Sequence, residues 1–305
     1  MTAVVSAADV FAIGSATCFA LSNVTIARGA RADAEDNGAF VSLLITVAIA
    51  ALGWIGLGLA HGFAPVTARA LLWFAGAGVL TAFVGRVFFY ASVQRLGAMR
   101  SSAMKRLNPF FAVLLGVLVL GEALTRGMVL GLLLIMASFA SLLLGERAPP
   151  RGAAMPVARR LLNAGYFYGP VSALGYASGY LLRKMGLAEA HEALLGALVG
   201  CAVGALLFLA TASFNRNYRR AVMATFRRPN PWLIGAGVMS SFGQILYFAA
   251  LNGSAMSRVA LISSMEVFVT LFLGALLLRD RERLTPPVVL AAVLGVAGTA
   301  CIIHG

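Results

Sequence analysis

The sequence predicts an all-α integral membrane protein, with ten transmembrane helices arranged as two five-helix inverted-topology repeats around a central cavity. The first observation behind this prediction is the composition, because 60% of the residues are hydrophobic and only 11% are charged. A soluble domain is about 45–50% apolar and about 25% charged. The second observation is that the apolar residues fall into separate runs of membrane-spanning length. The third is an internal repeat within these runs.

The apolar runs define the predicted helices in order along the chain. A helix needs about 20 mostly apolar residues to cross the hydrocarbon core of a bilayer. Mostly short connections separate the runs. The predicted transmembrane helices cover residues 8–27, 38–60, 69–94, 100–120, 127–145, 161–183, 192–212, 231–252, 256–278 and 286–303.

The internal repeat relates residues 83–116 to residues 241–274 without a gap. Strict identities are few, so the constant spacing is what indicates a duplication. The matched pairs are Gly85/Gly243, Arg86/Gln244, Phe89/Tyr247, Ala91/Ala249, Gln94/Asn252, Arg100/Arg258, Phe110/Phe268, Leu115/Leu273 and Gly116/Gly274. A duplicated half in a very hydrophobic chain is typical of a transporter whose substrate lies between two facing repeats.

A longer, basic connection follows the fifth predicted helix and divides the chain. We expect a first five-helix repeat in residues 1–146, a basic linker in 147–160 and a second five-helix repeat in 161–305. Because five is odd, the second repeat would enter the membrane in the opposite orientation to the first.

Arginines are concentrated in the odd-numbered connections, including the clusters in 146–160 and 213–230. Positively charged connections tend to stay in the cytoplasm, so this bias predicts both termini outside. We expect a multi-pass protein of the bacterial inner (plasma) membrane. The same bias accounts for the net charge of +13 without a nucleic-acid partner. The even-numbered connections are expected to hold only Arg69, Arg126, Arg183, Lys184 and Arg258.

Two related stretches lie in the predicted fourth and ninth helices. Residues 108–116, followed by Gly121-Glu122-Ala123-Leu124-Thr125, resemble the EamA repeat of the drug/metabolite transporter superfamily. Residues 266–274 repeat the pattern, with Val267 where proline is usual. In the first helix, Leu21-Ser22-Asn23-Val24 resembles the family's small-Asn signature.

This resemblance covers essentially the whole chain. It implies an exporter of small metabolites, such as amino acids, sugars, nucleotide-sugars or drugs, and YddG-type amino-acid exporters are the nearest type. Family members often have cytoplasmic termini, whereas the charge bias of this chain predicts termini outside.

Polar side chains inside apolar spans point to a binding site, because a charge at the bilayer centre costs about 2.5–3.5 kcal/mol. Helical spacing predicts matched polar faces on the fourth and ninth helices. They are Ser101, Lys105, Asn108 and Ala112, and Val259, Ser263, Glu266 and Thr270. These faces either line the central cavity or pack helices together, as small polar residues often do.

Arg86 lies near the middle of the predicted third helix, and Glu266 is the only acidic residue deep in a predicted span. These two charges either pair across the repeats or contact the carboxylate and ammonium of an amino acid. Glu266 is also a candidate carrier of a coupling proton, although export without coupling fits the sequence equally well.

In the predicted sixth helix, polar side chains recur at four-residue spacing, at Tyr168, Ser172, Tyr176 and Tyr180. Such a stripe more often packs than binds, but three tyrosines in place of phenylalanines favour a wet face. The predicted substrate-binding residues, including Asn23 by family resemblance, are Asn23, Arg86, Tyr90, Asn108, Tyr168, Tyr176, Gln244 and Glu266.

The sequence lacks a Ser/His/Asp arrangement, paired metal ligands and a phosphate-binding loop. We therefore expect no catalytic residue, metal or cofactor, and a small-molecule substrate and the lipid bilayer as partners of a monomer or homodimer. The leading hypothesis is a secondary transporter or facilitator that exports small metabolites, amino acids first, by alternating access. The alternatives are other substrates (drugs, sugars or nucleosides), a channel, and an integral-membrane lipid-modifying enzyme.

Overall fold

The computed structural model describes residues 6–29, 38–85, 88, 107–145, 164–277 and 286–304. All regular elements in these residues are helices. In the first part of the chain they are α1 (Ala7–Gly29), α2 (Ala39–His61), α3 (Ala68–Gly78, continuing as a π-helical stretch, Val79–Gly85), α4 (Asn108–Leu120) and α5 (Arg126–Gly145). In the second part they are α6 (Ala164–Ala190), α7 (Ala193–Phe214), α8 (Arg216–Arg227), α9 (Pro231–Gly253), α10 (Met256–Ser263), α11 (Glu266–Leu277) and α12 (Pro286–His304).

The described helices have the length and outward-facing apolar surface of a multi-pass membrane protein. Five spans are long and apolar enough to cross a bilayer, and α4, α5 and α12 supply shorter apolar helices. Leucines on their outer faces are largely exposed, including Leu59 on α2 at 77% and Leu118 on α4 at 72%. Such surface suits a hydrocarbon environment, since it would be costly to leave in water.

The predicted ninth helix, 256–278, is broken into α10 and α11. Ser264 and Met265 form a turn, and the Ser264 hydroxyl donates to the carbonyl of Leu261 at 2.6 Å. Serine competes with helical hydrogen bonds in this way. Glu266 then begins α11, where a carboxylate is favoured by the positive end of the helix dipole.

The predicted connection 213–230 contains a helix of its own, α8. Ala221 is buried, and Tyr218 and Val222 pack with it against apolar residues of α2 and α7. Arginines such as Arg219 and Arg220 lie on its exposed side. The segment is therefore an amphipathic helix that packs along the bundle.

Helices of the first half pack mainly against helices of the second half. The pairs are α1 with α9, α3 with α6, α2 with α7, and α5 with α12. Small residues permit the closest crossings, because a Cβ on Gly131 of α5 would lie 2.6 Å from the carbonyl oxygen of Gly298 on α12. This interleaving leaves a space between α1, α2 and α3 on one side and α6, α7, α9 and α11 on the other.

Candidate functional site

A cavity of about 260 Å³ occupies this space. It extends from Ile26 and Gly38, where α1 ends and α2 begins, to residues in the middle of α6 and α9. The polar or aromatic lining residues with the most distinctive chemistry are Asn23, Tyr176, Tyr180, Arg183, Gln244 and Glu266. Four of the eight predicted site residues, Asn23, Tyr176, Gln244 and Glu266, therefore lie around one cavity.

Asn23 and Glu266 connect the two halves across this cavity. The Asn23 amide Nδ2 donates a hydrogen bond to Glu266 Oε1 at 2.8 Å and lies 3.5 Å from Thr270 Oγ1. Thr270 in turn donates to the Glu266 backbone carbonyl at 2.7 Å. One amide therefore holds the carboxylate at the first residue of α11, within the cavity lining.

Arg183 is the charged residue of the described lining that was not predicted from the sequence. It was expected in a connection, but α6 continues to Ala190 and Arg183 is only 4% exposed. Tyr176, Tyr180 and Arg183 follow i, i+4, i+7 spacing, so extending the tyrosine stripe by one turn would have found it. The connection prediction failed because two adjacent cations, Arg183 and Lys184, lowered the local hydropathy.

The wall formed by α9 is fastened to α1 and α2 by small polar side chains. Ser15 donates to the carbonyl of Gly243 at 2.8 Å, and Ser22 donates to the carbonyl of Ala236 at 2.9 Å. Thr46 and Ser241 share a buried hydrogen bond of 2.8 Å. These contacts satisfy polar groups between helices and fix the side of the cavity that carries Gln244.

The other predicted site residues are not gathered here. Asn108 and Tyr168 are absent from the described lining, and Arg86 and Tyr90 lie outside the described residues, as do Ser101 and Lys105. The Tyr168 ring packs against Phe88, with centroids 5.5 Å apart. The two matched polar faces therefore do not contribute equally to the cavity lining. Glu266 of α11 lines the cavity, whereas the described residues of the α4 face do not.

Asn108 lies outside the described lining but has a buried polar atom. Its side-chain Oδ1 is buried and has no hydrogen-bond partner among the described residues, and the same is true of Ser263 Oγ and Tyr247 Oη. Asn108 begins α4 just as Glu266 begins α11, so the matched positions share a place in the fold but differ in surroundings.

The end of the bundle that carries both described termini is tied together by Glu122. Its carboxylate accepts hydrogen bonds from the backbone N–H of Met256 at 2.6 Å and of Ser257 at 2.9 Å, and from the Ser257 hydroxyl. Glu122 follows α4 and these donors begin α10, so one carboxylate caps a helix of the other half.

Two expected loop cations also lie inside this end of the bundle. Lys184 Nζ, on α6, donates to the carbonyls of Leu251 and Ser254 where α9 ends, at 2.6 and 2.8 Å. Arg258, on α10, pairs with Asp9 at 2.8 Å. Asp9 is 1% exposed, so Glu266 is not the only buried or half-buried acid in the helices.

The predicted even-numbered connections thus contain fewer cations than expected. Arg183, Lys184 and Arg258 all belong to helices. Arg28, which was counted in an odd-numbered connection, also belongs to a helix, α1, so the orientation with both termini outside stays a prediction. Among the described residues, no group of three or more His, Cys, Asp or Glu side chains is placed to hold a metal ion.

Comparison with known proteins gives a family match and a fold match. The sequence profile of the EamA-like transporter family matches residues 6–144 and again residues 163–304. One solved crystal structure superposes with a TM-score of 0.67 at 17% sequence identity, covering 98% of this chain and 96% of that chain. At this identity the likeness concerns the fold alone. No curated protein sequence matches the chain significantly.

Proposed function

Because the chain belongs to the EamA-like transporter family, within the drug/metabolite transporter superfamily, we propose that it exports amino acids across the bacterial inner membrane by alternating access. In this proposal the two halves rock around the cavity and expose it to each side of the membrane in turn. A YddG-type amino-acid exporter is the type we expect.

The observation that carries this proposal is a polar cavity which both halves build and which reaches toward one end of the bundle. Asn23 of α1 and Glu266 of α11 meet in its wall at 2.8 Å. At the opposite end, Glu122 and the Asp9–Arg258 pair join helices of the two halves. A polar cavity between the two halves, with contacts that join the halves at the opposite end, supports a carrier that works by alternating access.

Size and chemistry favour a small polar metabolite. The cavity volume of about 260 Å³ lies just below the range of about 300–1,000 Å³ for ligand pockets of drug-sized molecules. Charged and amide side chains stand beside the aromatic rings of Tyr176 and Tyr180. An amino acid, with a small charged end and an organic side chain, matches this combination.

The test is flux through purified protein in liposomes. Neutral amino acids, sugars, nucleosides and drugs would first be screened for those that raise the thermal unfolding midpoint, since a ligand of the folded state stabilises it. Liposomes loaded with the radiolabelled ligands would then be followed for efflux. Saturable efflux of amino acids is the expected result.

Other outcomes separate the alternatives. Saturable flux of sugars, nucleosides or drugs, without flux of amino acids, would show that the protein transports another substrate class. Rapid, non-saturating flux would indicate a channel. Absence of flux for all four classes would refute transport and favour a membrane enzyme. Protein-free liposomes and the surface variant Glu189→Gln, which changes a peripheral pair with Arg69, serve as controls.

A further inference from the structure

We propose that Arg183 binds the carboxylate of the transported molecule and so restricts the cavity to organic acids, zwitterionic amino acids included. This inference rests on the proposed transport function. It concerns a residue that α6 places in the cavity lining, one helical turn beyond Tyr176 and Tyr180.

Arg183 is buried, and the residues that the structure describes give it no acidic partner. It is 4% exposed, and no carboxylate among the described residues lies within 4.0 Å of its side chain. Its hydrogen bond to Thr81 Oγ1 is long, at 3.4 Å. The half-buried Arg258, by contrast, forms a short two-bond ion pair with Asp9. Arg183 therefore lacks the compensation that Arg258 has.

The aromatic surroundings only partly compensate for this charge. The Arg183 guanidinium carbon lies 4.7 Å from the ring centre of Phe248 and 5.4 Å from that of Tyr180. Cation–π contacts favour the charged form, but a ring accepts no directed hydrogen bond along the plane of the guanidinium. A buried arginine usually marks a functional site in a membrane protein for this reason.

The geometry suits a carboxylate in particular. A guanidinium presents a planar set of five N–H donors that can form two parallel hydrogen bonds to one carboxylate. Phe248 and Tyr180 lie against the guanidinium of Arg183, and its N–H edge donates to Thr81. Arg183, Tyr180 and Thr81 line the cavity. Thr81 is a positioning residue, because it contacts the guanidinium directly.

Glu266 does not take the place of the missing partner. It lines the same cavity, but its described hydrogen-bond donor is Asn23, and it forms no ion pair with Arg183. The cavity thus keeps a cation and a carboxylate apart. An anionic group entering it is attracted toward Arg183 and away from Glu266.

The first experiment compares each neutral amino acid with its carboxamide on the wild-type protein, phenylalanine and phenylalaninamide first because the lining is aromatic. The acid is expected to raise the unfolding midpoint and the amide to have little effect. Equal stabilisation by both members of each pair, or stabilisation by neither, would overturn the proposal. This measurement needs no variant and no flux.

The second experiment measures efflux. Arg183→Gln is expected to raise the KM for the acid by about 10- to 100-fold, the range for a lost hydrogen bond to a charged group, and to leave amide flux nearly unchanged. Arg183→Lys keeps the charge but not the planar donors, so an intermediate KM with acid preference is expected. If Arg183→Gln does not fold, Arg183→Lys carries the test.

Equal losses for acid and amide, or an unchanged acid preference, would refute the role of Arg183. Arg69→Gln is the matched control, because Arg69 is a surface arginine with 70% of its side chain exposed. Failure of the proposed function looks different. In that case wild-type protein would still bind acids in preference to amides but would carry no saturable flux.

Discussion

Replacing Glu122 by alanine should destabilise the fold far more than replacing any surface acid. The substitution removes one carboxylate that accepts three hydrogen bonds, from the N–H groups of Met256 and Ser257 and from the Ser257 hydroxyl. A hydrogen bond to a charged group contributes about 1.5–3 kcal/mol. A carboxylate at a helix N-terminus adds about 0.3–1 kcal/mol.

These contributions share one carboxylate at a half-buried position, so they do not add in full. We therefore expect Glu122→Ala to lower the free energy of unfolding by about 3 kcal/mol. Ser257→Ala removes only the hydroxyl bond and should cost about 1 kcal/mol. Glu122→Gln should fall between the two, because the amide keeps an acceptor oxygen but loses the charge.

The assay is equilibrium unfolding of the detergent-purified variants in SDS, with the thermal unfolding midpoint as a second measure. Glu189→Ala is the control, since Glu189 is an acid on α6 whose ion pair with Arg69, at 3.3 Å, lies at the surface, with 70% of the Arg69 side chain and 30% of the Glu189 side chain exposed. Exposed pairs contribute about 0.2–1 kcal/mol. If Glu122→Ala is no more destabilising than Glu189→Ala, the capping role of Glu122 is refuted.

Three further predictions follow from other contacts. Gly131→Ala should destabilise the α5–α12 crossing by about 1–3 kcal/mol, because the added methyl group overpacks the contact with α12. Gly56→Ala is the control, since a Cβ at Gly56 meets no atom within 4 Å. Equal thermal unfolding midpoints for the two variants would contradict this prediction. Asp9→Asn should cost about 3 kcal/mol, the lower end of the range for breaking a buried ion pair, because it removes the charge that pairs with Arg258, which keeps a hydrogen bond to the carbonyl of Ile303; a double-mutant cycle with Arg258→Gln should show strong coupling. Glu266→Gln should abolish flux driven by a pH gradient and leave substrate exchange intact, because an amide carries no proton; equal loss of both in liposomes would remove Glu266 as the proton carrier.

The helical membrane architecture was predictable because it depends on composition and on the length of apolar runs. The described helices and the family match confirm that coarse prediction. The register of the repeat also has a structural counterpart. Asn108 and Glu266 are separated by 266 − 108 = 158 residues, the spacing of the sequence repeat, and each is the first residue of its helix.

The buried charges were not predictable from the same signals. Hydropathy treats Arg183, Lys184 and Arg258 as residues that end a span, whereas each is accommodated by a contact far away in sequence. Lys184 reaches the end of α9, and Arg258 reaches Asp9, 249 positions away. Whether a charge is tolerated inside a bundle depends on partners that only the tertiary structure brings together.

The break between α10 and α11 escaped prediction for a related reason. The run 256–278 is apolar enough to read as one helix, and Val267 occupies the position where the first half has Pro109. The break instead comes from local hydrogen bonding by Ser264 and from the start of a new helix at Glu266. A serine hydroxyl can bond to a backbone carbonyl without ending the helix, whereas a proline removes a backbone hydrogen bond. A serine in the sequence therefore predicts a helix break less reliably than a proline does.

The repeat and the cavity together show where the twofold scaffold becomes asymmetric. With the same offset, α1 would map to a helix beginning at 7 + 158 = 165, and α6 begins at residue 164. Arg183 then corresponds to Thr25, since 183 − 158 = 25, and Glu266 corresponds to Asn108. Among the described lining residues, both charges, Arg183 and Glu266, therefore belong to the second half, and their counterparts in the first half are neutral. Because the first half contributes hydrogen-bonding groups such as Asn23 and Thr81 instead, we expect the cavity to hold an asymmetric substrate in one orientation, with its anionic end toward α6.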